Sequence, residues 1–228
     1  MNLLKSWFAF LGKWGPMYAE GTLVTLKVSF FGVLIGFALG IIVALMRNSK
    51  IKPLEVLSKI YVQVLRGTPL LVQVTIAYYG FATVVPEQFN YLKQPLILSM
   101  VAVCMNSSAY VSEIIRGGIN AVDRGQSEAA ASLGMKKGQI RRHIILPQAI
   151  KTVLPALGNE FVTLIKESAI LSVVGVGDIM YQAKVAGGAT YLPFMPYVTS
   201  ALIYLVLVTV LSKVVDTFER RMATGDTH

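Results

Sequence analysis

Four stretches of this chain, residues 28–46, 67–86, 94–112 and 185–212, contain no Asp, Glu, Lys or Arg. Each is close to or above the roughly 20 residues that a helix needs to cross the hydrocarbon of a bilayer. Apolar runs of this length and number cannot share one water-facing core. They point instead to a polytopic membrane protein, all-α because a helix satisfies its own backbone in lipid. Composition agrees: of 228 residues 54% are hydrophobic and 14% charged, against about a quarter charged in soluble domains.

A fifth segment, 151–173, is apolar but interrupted by Glu160, Lys166 and Glu167. Charges at membrane depth cost about 2.5–3.5 kcal/mol each on insertion scales, so they face a cavity or a partner. Lys and Arg alternate between the connecting segments: Arg47, Lys50, Lys52 and Lys59 after the first run, Lys93 alone after the second, seven in 113–151, Lys184 alone in 171–195, and Lys213, Arg220 and Arg221 at the tail. Under the positive-inside rule this alternation places the amino terminus outside and the carboxyl terminus in the cytosol, with five transmembrane helices between. The formal charge of +9 is then cytosolic edging at a lipid bilayer, and no nucleic acid is expected as a partner.

The expected organisation is an external interfacial amphipathic helix over 1–20, a transmembrane domain over 21–217 with a long cytosolic loop at 117–148, and a cytosolic tail over 218–228. Trp7, Phe8, Phe10 and Trp14 beside Lys5 and Lys13 suit headgroup depth, with a stop near Gly15-Pro16. Neither the apolar core nor the cleavage site of a signal peptide stands out. The lone Cys104 excludes an intrachain disulfide and a cysteine metal cluster. No metal site is expected.

The loop contains the stretch "SEAAASLGMKKGQIRRHIILP", 127–147. Ser127 reads as an N-cap, Glu128 sits where the helix dipole favours an anion, Ala129, Ala130, Ala131 and Leu133 favour a helix, and Gly134 suits a left-handed stop. A short docking helix and a solvated connector are both compatible with these signals.

Within 65–73, Arg66, Gly67, Thr68 and Pro69 interrupt an apolar segment. The alternatives are a broken helix whose backbone lines a cavity and a proline kink filled by neighbouring helices. Arg66 either snorkels to the cytosolic face or pairs with an acid. Glu160, Thr163 and Glu167 fall on one helix face, with Asn159 flanking and Lys166 turned away. Two carboxylates on one stripe suit a cationic or zwitterionic ligand, or else a structural ion-pair network. Gly32, Gly36 and Gly40 recur every fourth residue, a stripe for close helix packing. Glu113 and Arg116 read as an exposed or subunit-facing pair.

Glu128-Ala129-Ala130, three residues, Gly134, nine residues, then Ile144-Ile145-Leu146-Pro147 resembles the signature loop of ABC importer permeases. The stretches "VQVLRGTPLLVQ", "NSSAYVSEIIRGGINAV" and "LPALGNEFVTLIKESAILSVVGV" are similar to the polar amino-acid branch of that family. The resemblance implies the type I ABC importer permease fold in a prokaryotic inner membrane. It also implies ATP-driven import of an amino acid by alternating access. Ser127, Glu128, Ala129, Ala130, Leu133 and Gly134 would be the coupling helix, and Gly67, Thr68, Pro69, Asn159, Glu160, Thr163 and Glu167 the substrate site. Implied partners are ABC ATPase subunits, a second permease subunit (a copy or a paralogue) and an extracytoplasmic solute-binding protein. The chain has no Gly-x-x-x-x-Gly-Lys-Ser/Thr loop, so ATP and Mg are expected in the partner ATPase, with no cofactor here.

Rival readings are a permease for another small polar solute, a gated channel built on a ring of Glu160 and Glu167, and an intramembrane enzyme. The last is not expected, since His143 lies in the loop, His228 is terminal, and no Gly-x-Ser-x-Gly or His-Glu-x-x-His motif occurs.

Overall fold

The computed structural model describes residues 3–192 and 194–223, and every regular element among them is helical. In chain order these are α1 (Leu3–Arg47), α2 (Lys52–Gly67), α3 (Leu70–Val84), a 3-10 segment (Glu87–Lys93), α4 (Pro95–Asn120), α5 (Arg124–Ser132), and the single turn α6 (Lys137–Ile140). A π-helical turn (Arg141–Ile145) then leads into α7 (Leu146–Glu167), a 3-10 extension (Ser168–Val174), α8 (Ile179–Thr190) and α9 (Phe194–Ala223).

Among the described residues three helices, α1, α4 and α9, are long and apolar enough to cross a membrane. The bent pair α2–α3 makes a fourth if it counts as one span. α7 falls outside that count because Lys151, Glu160, Lys166 and Glu167 lower its hydropathy.

The helices depart from the sequence expectations in three places. α1 runs through Gly15 and Pro16 without stopping, so residues 3–20 are the start of a 45-residue helix, not a separate one. Phe10 and Tyr18 are buried against Ile179, Ala183 and Ala186 of α8, and the Tyr18 hydroxyl donates to the carbonyl of Pro196 at 2.9 Å. That packing carries the helix past a proline whose missing N–H would otherwise end it. The 185–212 run is not one span either: α8 ends at Thr190, Tyr191 takes a left-handed φ of 54°, and α9 starts afresh at Phe194. Hydropathy continues across that break while the backbone turns. The interruption expected at 66–69 is a break and not a mild kink: α2 ends at Gly67, α3 starts at Leu70, and the helix axes bend by 105°. At the carboxyl end α9 continues to Ala223, so 218–223 is helix. The remainder of that tail, with His228, lies outside the described residues.

α4 is the hub, packing against α1, α2, α3 and α7. It runs parallel to α1: a Cβ on Gly32 would meet Val103 at 2.8 Å, one on Gly36 would meet Ser107 at 2.8 Å, and one on Gly40 would meet Val111 at 2.7 Å. Each glycine thus pairs with one residue of an equal four-residue register, and only hydrogen at these positions lets the two backbones come so close. On its other side α4 meets α7 antiparallel, with Gly118 beside Val153 and Ala149. Leu70, Val74, Ala102, Val103, Leu164 and Leu171 close the centre into one apolar cluster.

Candidate functional site

The break between α2 and α3 follows from local chemistry. Pro69 has no N–H and disfavours helical backbone at the residue before it. Thr68 is accordingly extended, at φ −121° and ψ 144°, and Pro69 follows at φ −63° and ψ 140°. The carbonyls this frees are met from one side only. Gln73 Nε2 donates to the carbonyl oxygen of Leu65 at 2.7 Å and to that of Thr68 at 3.0 Å. Asn106 Nδ2 on α4 donates to the same Leu65 oxygen at 3.2 Å and to Gln73 Oε1 at 3.0 Å. Gly67, Thr68 and Pro69 are exposed on the other side, and nothing stands within 4 Å of a Cβ built on Gly67. The first turn of α3 starts at this opening, so the positive end of its dipole points there.

Glu160 is buried in α7. Its Oε1 accepts from Ser107 Oγ on α4 at 3.1 Å. Asn106 and Ser107 are consecutive residues of α4, about 1.5 Å apart along its axis, so one helix contacts the α2–α3 break and the Glu160 carboxylate at a similar height. Both fall near the middle of a 26-residue helix. Thr163 and Glu167 are half-buried further along α7, Glu167 about two turns from Glu160. Asn159 is not brought to this group. It is exposed and lines a cavity of about 380 Å³ with Thr152, Pro155 and Glu219, between α7 and α9. Among the described residues neither Glu160 nor Glu167 has a basic group within ion-pairing distance.

Arg66 does find an acid, but the acid is Glu113. Its Nη1 lies 3.7 Å from Glu113 Oε2, and its guanidinium sits over the Tyr110 ring, 5.1 Å from the centroid. Arg116 Nη2 reaches the same oxygen at 2.6 Å, and Arg47, at the end of α1, binds Oε1. One carboxylate, 14% exposed, therefore gathers α1, α2 and α4. The exposed Glu113–Arg116 pair expected from spacing is half of a larger and more buried cluster.

In the loop, α5 begins earlier than its serine suggests. Asp123 caps it, accepting from Gly125 N at 2.7 Å, and Ser127 lies inside the helix. A carboxylate two residues before a glycine forms this turn more readily than a hydroxyl. Glu128 is therefore in the second turn of α5, not its first. The stop is as expected: Gly134 has φ +81°, Gly134 N bonds the Ala131 carbonyl at 2.9 Å and Met135 N bonds that of Ala130 at 3.1 Å, a Schellman motif. Ala130 is buried against the body, while Ala129, Ser132 and Leu133 face outward, Leu133 at 84% exposure.

Sequence reasoning passed over Gln73, Asn106, Ser107 and Arg47, which bind residues up to 66 positions away. It also passed over Asp178, which is fully buried, caps α8 through Tyr181 N at 2.8 Å and accepts from the Tyr204 hydroxyl at 3.2 Å. Gly175-Val176-Gly177-Asp178 before an apolar run was a readable start signal for that helix.

Comparison with known proteins gives a consistent picture. Residues 36–224 match the model for the binding-protein-dependent transport system inner membrane component. The chain is 42% identical to the arginine transport system permease protein ArtQ of Bacillus subtilis, over 92% of this chain and 94% of that one. It is 41% identical to the putative glutamine transport system permease protein GlnP of Rickettsia conorii, over 94% and 98%. Among solved structures, an amino acid ABC transporter crystallised with histidines superposes with a TM-score of 0.87 at 44% identity, covering 97% of this chain and 99% of that one. The inward-facing MetNI methionine transporter shares the fold at TM-score 0.70 and 19% identity, over 97% and 99%.

Proposed function

Because this chain belongs to the family of binding-protein-dependent transport system inner membrane components, we infer that it is the permease subunit of an ABC importer for amino acids, and we assign its working parts as follows. It is an inner-membrane component that acts with ATPase and binding-protein partners. The observation that carries the assignment of the substrate site is the shared height of the α2–α3 break and Glu160, set by Asn106 and Ser107.

An amino acid is a zwitterion. Its carboxylate suits the open side of the Gly67–Thr68–Pro69 break, where the amides and dipole of the α3 amino end converge. Its ammonium suits Glu160, which has no basic side chain within ion-pairing distance among the described residues, with Thr163 and Glu167 continuing that face of α7. Asn159 belongs to a polar approach between α7 and α9. Charge-assisted hydrogen bonds of this kind are about twice as strong as neutral ones, enough to distinguish two states of a site that differ in how far the break and α7 are apart.

The coupling surface is the outer face of α5, with Ala129 and Leu133 exposed and Gly134 ending the helix. A separate ATPase subunit grips it, and ATP and Mg belong to that subunit. The loop face is cytosolic, as is the carboxyl end, with five crossings in which α7 serves as one and α8 is a short element beside α9. A second permease subunit, identical or paralogous, completes the pathway. Alternating access requires cargo to bind the outward and inward states with different affinity, since equal affinity shifts nothing.

The test is reconstitution of this chain with its ATPase and binding protein in proteoliposomes. ATP-dependent amino-acid uptake that is lost with Gly134→Val supports the reading; solute flux without ATP or ATPase contradicts it and favours a channel.

A further inference from the structure

Two cavities adjoin behind the docking helix. One, of about 520 Å³, lies between α5, α6 and the start of α7 and is lined by Ser127, Glu128, Lys137 and Arg141. The other, of about 260 Å³, continues along α1, α4 and α7 between Phe37, Ile41, Ile115 and Ile150. They share Asn48, Ile119, Arg141 and Leu146, so they form one groove. Its two ends differ sharply in chemistry. The α1–α7 end has aliphatic and aromatic walls and runs along α1 and α4, two of the helices long and apolar enough to cross a membrane. The loop end has two cations and one carboxylate, and neither Lys137 nor Arg141 has an acid within ion-pairing distance among the described residues. Both are exposed, so neither charge is committed to the fold.

An apolar trough at membrane depth, ending in two uncommitted cations at the membrane edge, complements one class of molecule: a lipid whose headgroup is anionic. We propose that the groove holds one anionic phospholipid, its phosphate on Arg141 and Lys137 and an acyl chain along the α1–α7 trough. The lipid lies between α5 and the membrane helices. It fills the space through which the docking helix would otherwise shift relative to α1 and α7, and so makes the coupling element sensitive to membrane composition. Arg142, next to Arg141 but lining neither cavity, has no part in it.

The full chain in complex with its ATPase, in nanodiscs of phosphatidylcholine with a minor fraction of phosphatidylglycerol, is released into mild detergent and its retained lipids are counted by native mass spectrometry. Expected is one phosphatidylglycerol per permease. Retention falls about fivefold with Arg141→Ala and again with Lys137→Ala, following the attraction of one cation for an anionic lipid. It survives in Arg141→Lys and Arg142→Ala. Ile41→Trp, which fills the trough and keeps both cations, also empties the site. Four results would overturn the proposal: retention unchanged in Arg141→Ala and Ile41→Trp, equal retention of phosphatidylcholine, equal loss in Arg142→Ala, or displacement by soluble glycerol phosphate as effective as by phosphatidylglycerol. The readout is bound lipid, so it stands or falls separately from transport.

Discussion

Ser107 donates to Glu160 across the α4–α7 contact at 3.1 Å, and the same serine occupies the space that Gly36 leaves on α1. One side chain thus joins three helices at the level of the α2–α3 break. A change in how α1 packs on α4 is felt by the carboxylate assigned to the ammonium of the cargo.

Gly36→Ala is expected to destabilise the protein by about 1–3 kcal/mol, because its Cβ would meet Ser107 Cβ and Oγ at 2.8 Å in a packed contact. Gly12→Ala, with nothing within 4 Å, should have the opposite sign and gain about 0.5–1 kcal/mol from helix propensity. Thermal unfolding of the two variants in one detergent checks this; equal shifts would refute the glycine stripe as the α1–α4 contact.

The amide relay at the break gives a coupling prediction. Gln73→Leu takes the side-chain donor from the Thr68 oxygen and one of two donors from the Leu65 oxygen, while Asn106→Leu takes the other Leu65 donor and leaves Gln73 Oε1 without one; each should cost about 1–3 kcal/mol. Both amides act on the Leu65 oxygen, which loses its last side-chain donor only in the double variant, and on one another, so the double variant should depart from the sum by more than about 0.5 kcal/mol. A double-mutant cycle from melting curves measures this, and strict additivity would mean that the relay does not act as a unit.

Much of this architecture is readable from the chain, and the misses have physical reasons. The break is visible because proline removes an N–H and restricts its predecessor, both local effects. Gly134 is visible because its left-handed φ is a property of one residue. The start of α5 lies a turn before the expected Ser127 because the Asp123 carboxylate closes a turn onto Gly125 N, a contact that only the geometry shows. The 185–212 run misled because hydropathy does not record the backbone reversal at Tyr191. Asn106 and Ser107 were invisible for a different reason: a small polar residue in an apolar run declares no partner, and theirs lie 33 and 53 positions away.

Glu113 holds three arginines, from α1, α2 and α4. Glu113→Gln leaves like charges facing one another and should cost about 1–3 kcal/mol, the range for hydrogen bonds to charged groups. Adding Arg66→Leu should recover part of the loss by removing one repelling cation. Melting temperatures of the single and double variants decide it; no recovery would mean that Arg66, at 43% exposure, takes little part in the cluster.

At Gly134 a β-branched residue must adopt a left-handed backbone, costing about 1–2 kcal/mol. Gly134→Val should fray the end of α5 and weaken co-purification of the ATPase, while Gly134→Asn, which tolerates that conformation, should keep it. Equal ATPase recovery from both variants would remove the Schellman stop from the coupling surface.

The most direct test of the substrate site is protection of its open side. In a Cys104→Ala background, Thr68→Cys and, as a control in the α1–α2 connection, Lys50→Cys are labelled with a maleimide in the intact transporter, with and without the transported amino acid. Occupancy of the site beside Glu160 predicts that the amino acid slows labelling at position 68 severalfold and leaves position 50 unchanged. Labelling at position 68 that proceeds at one rate in both conditions would contradict the account.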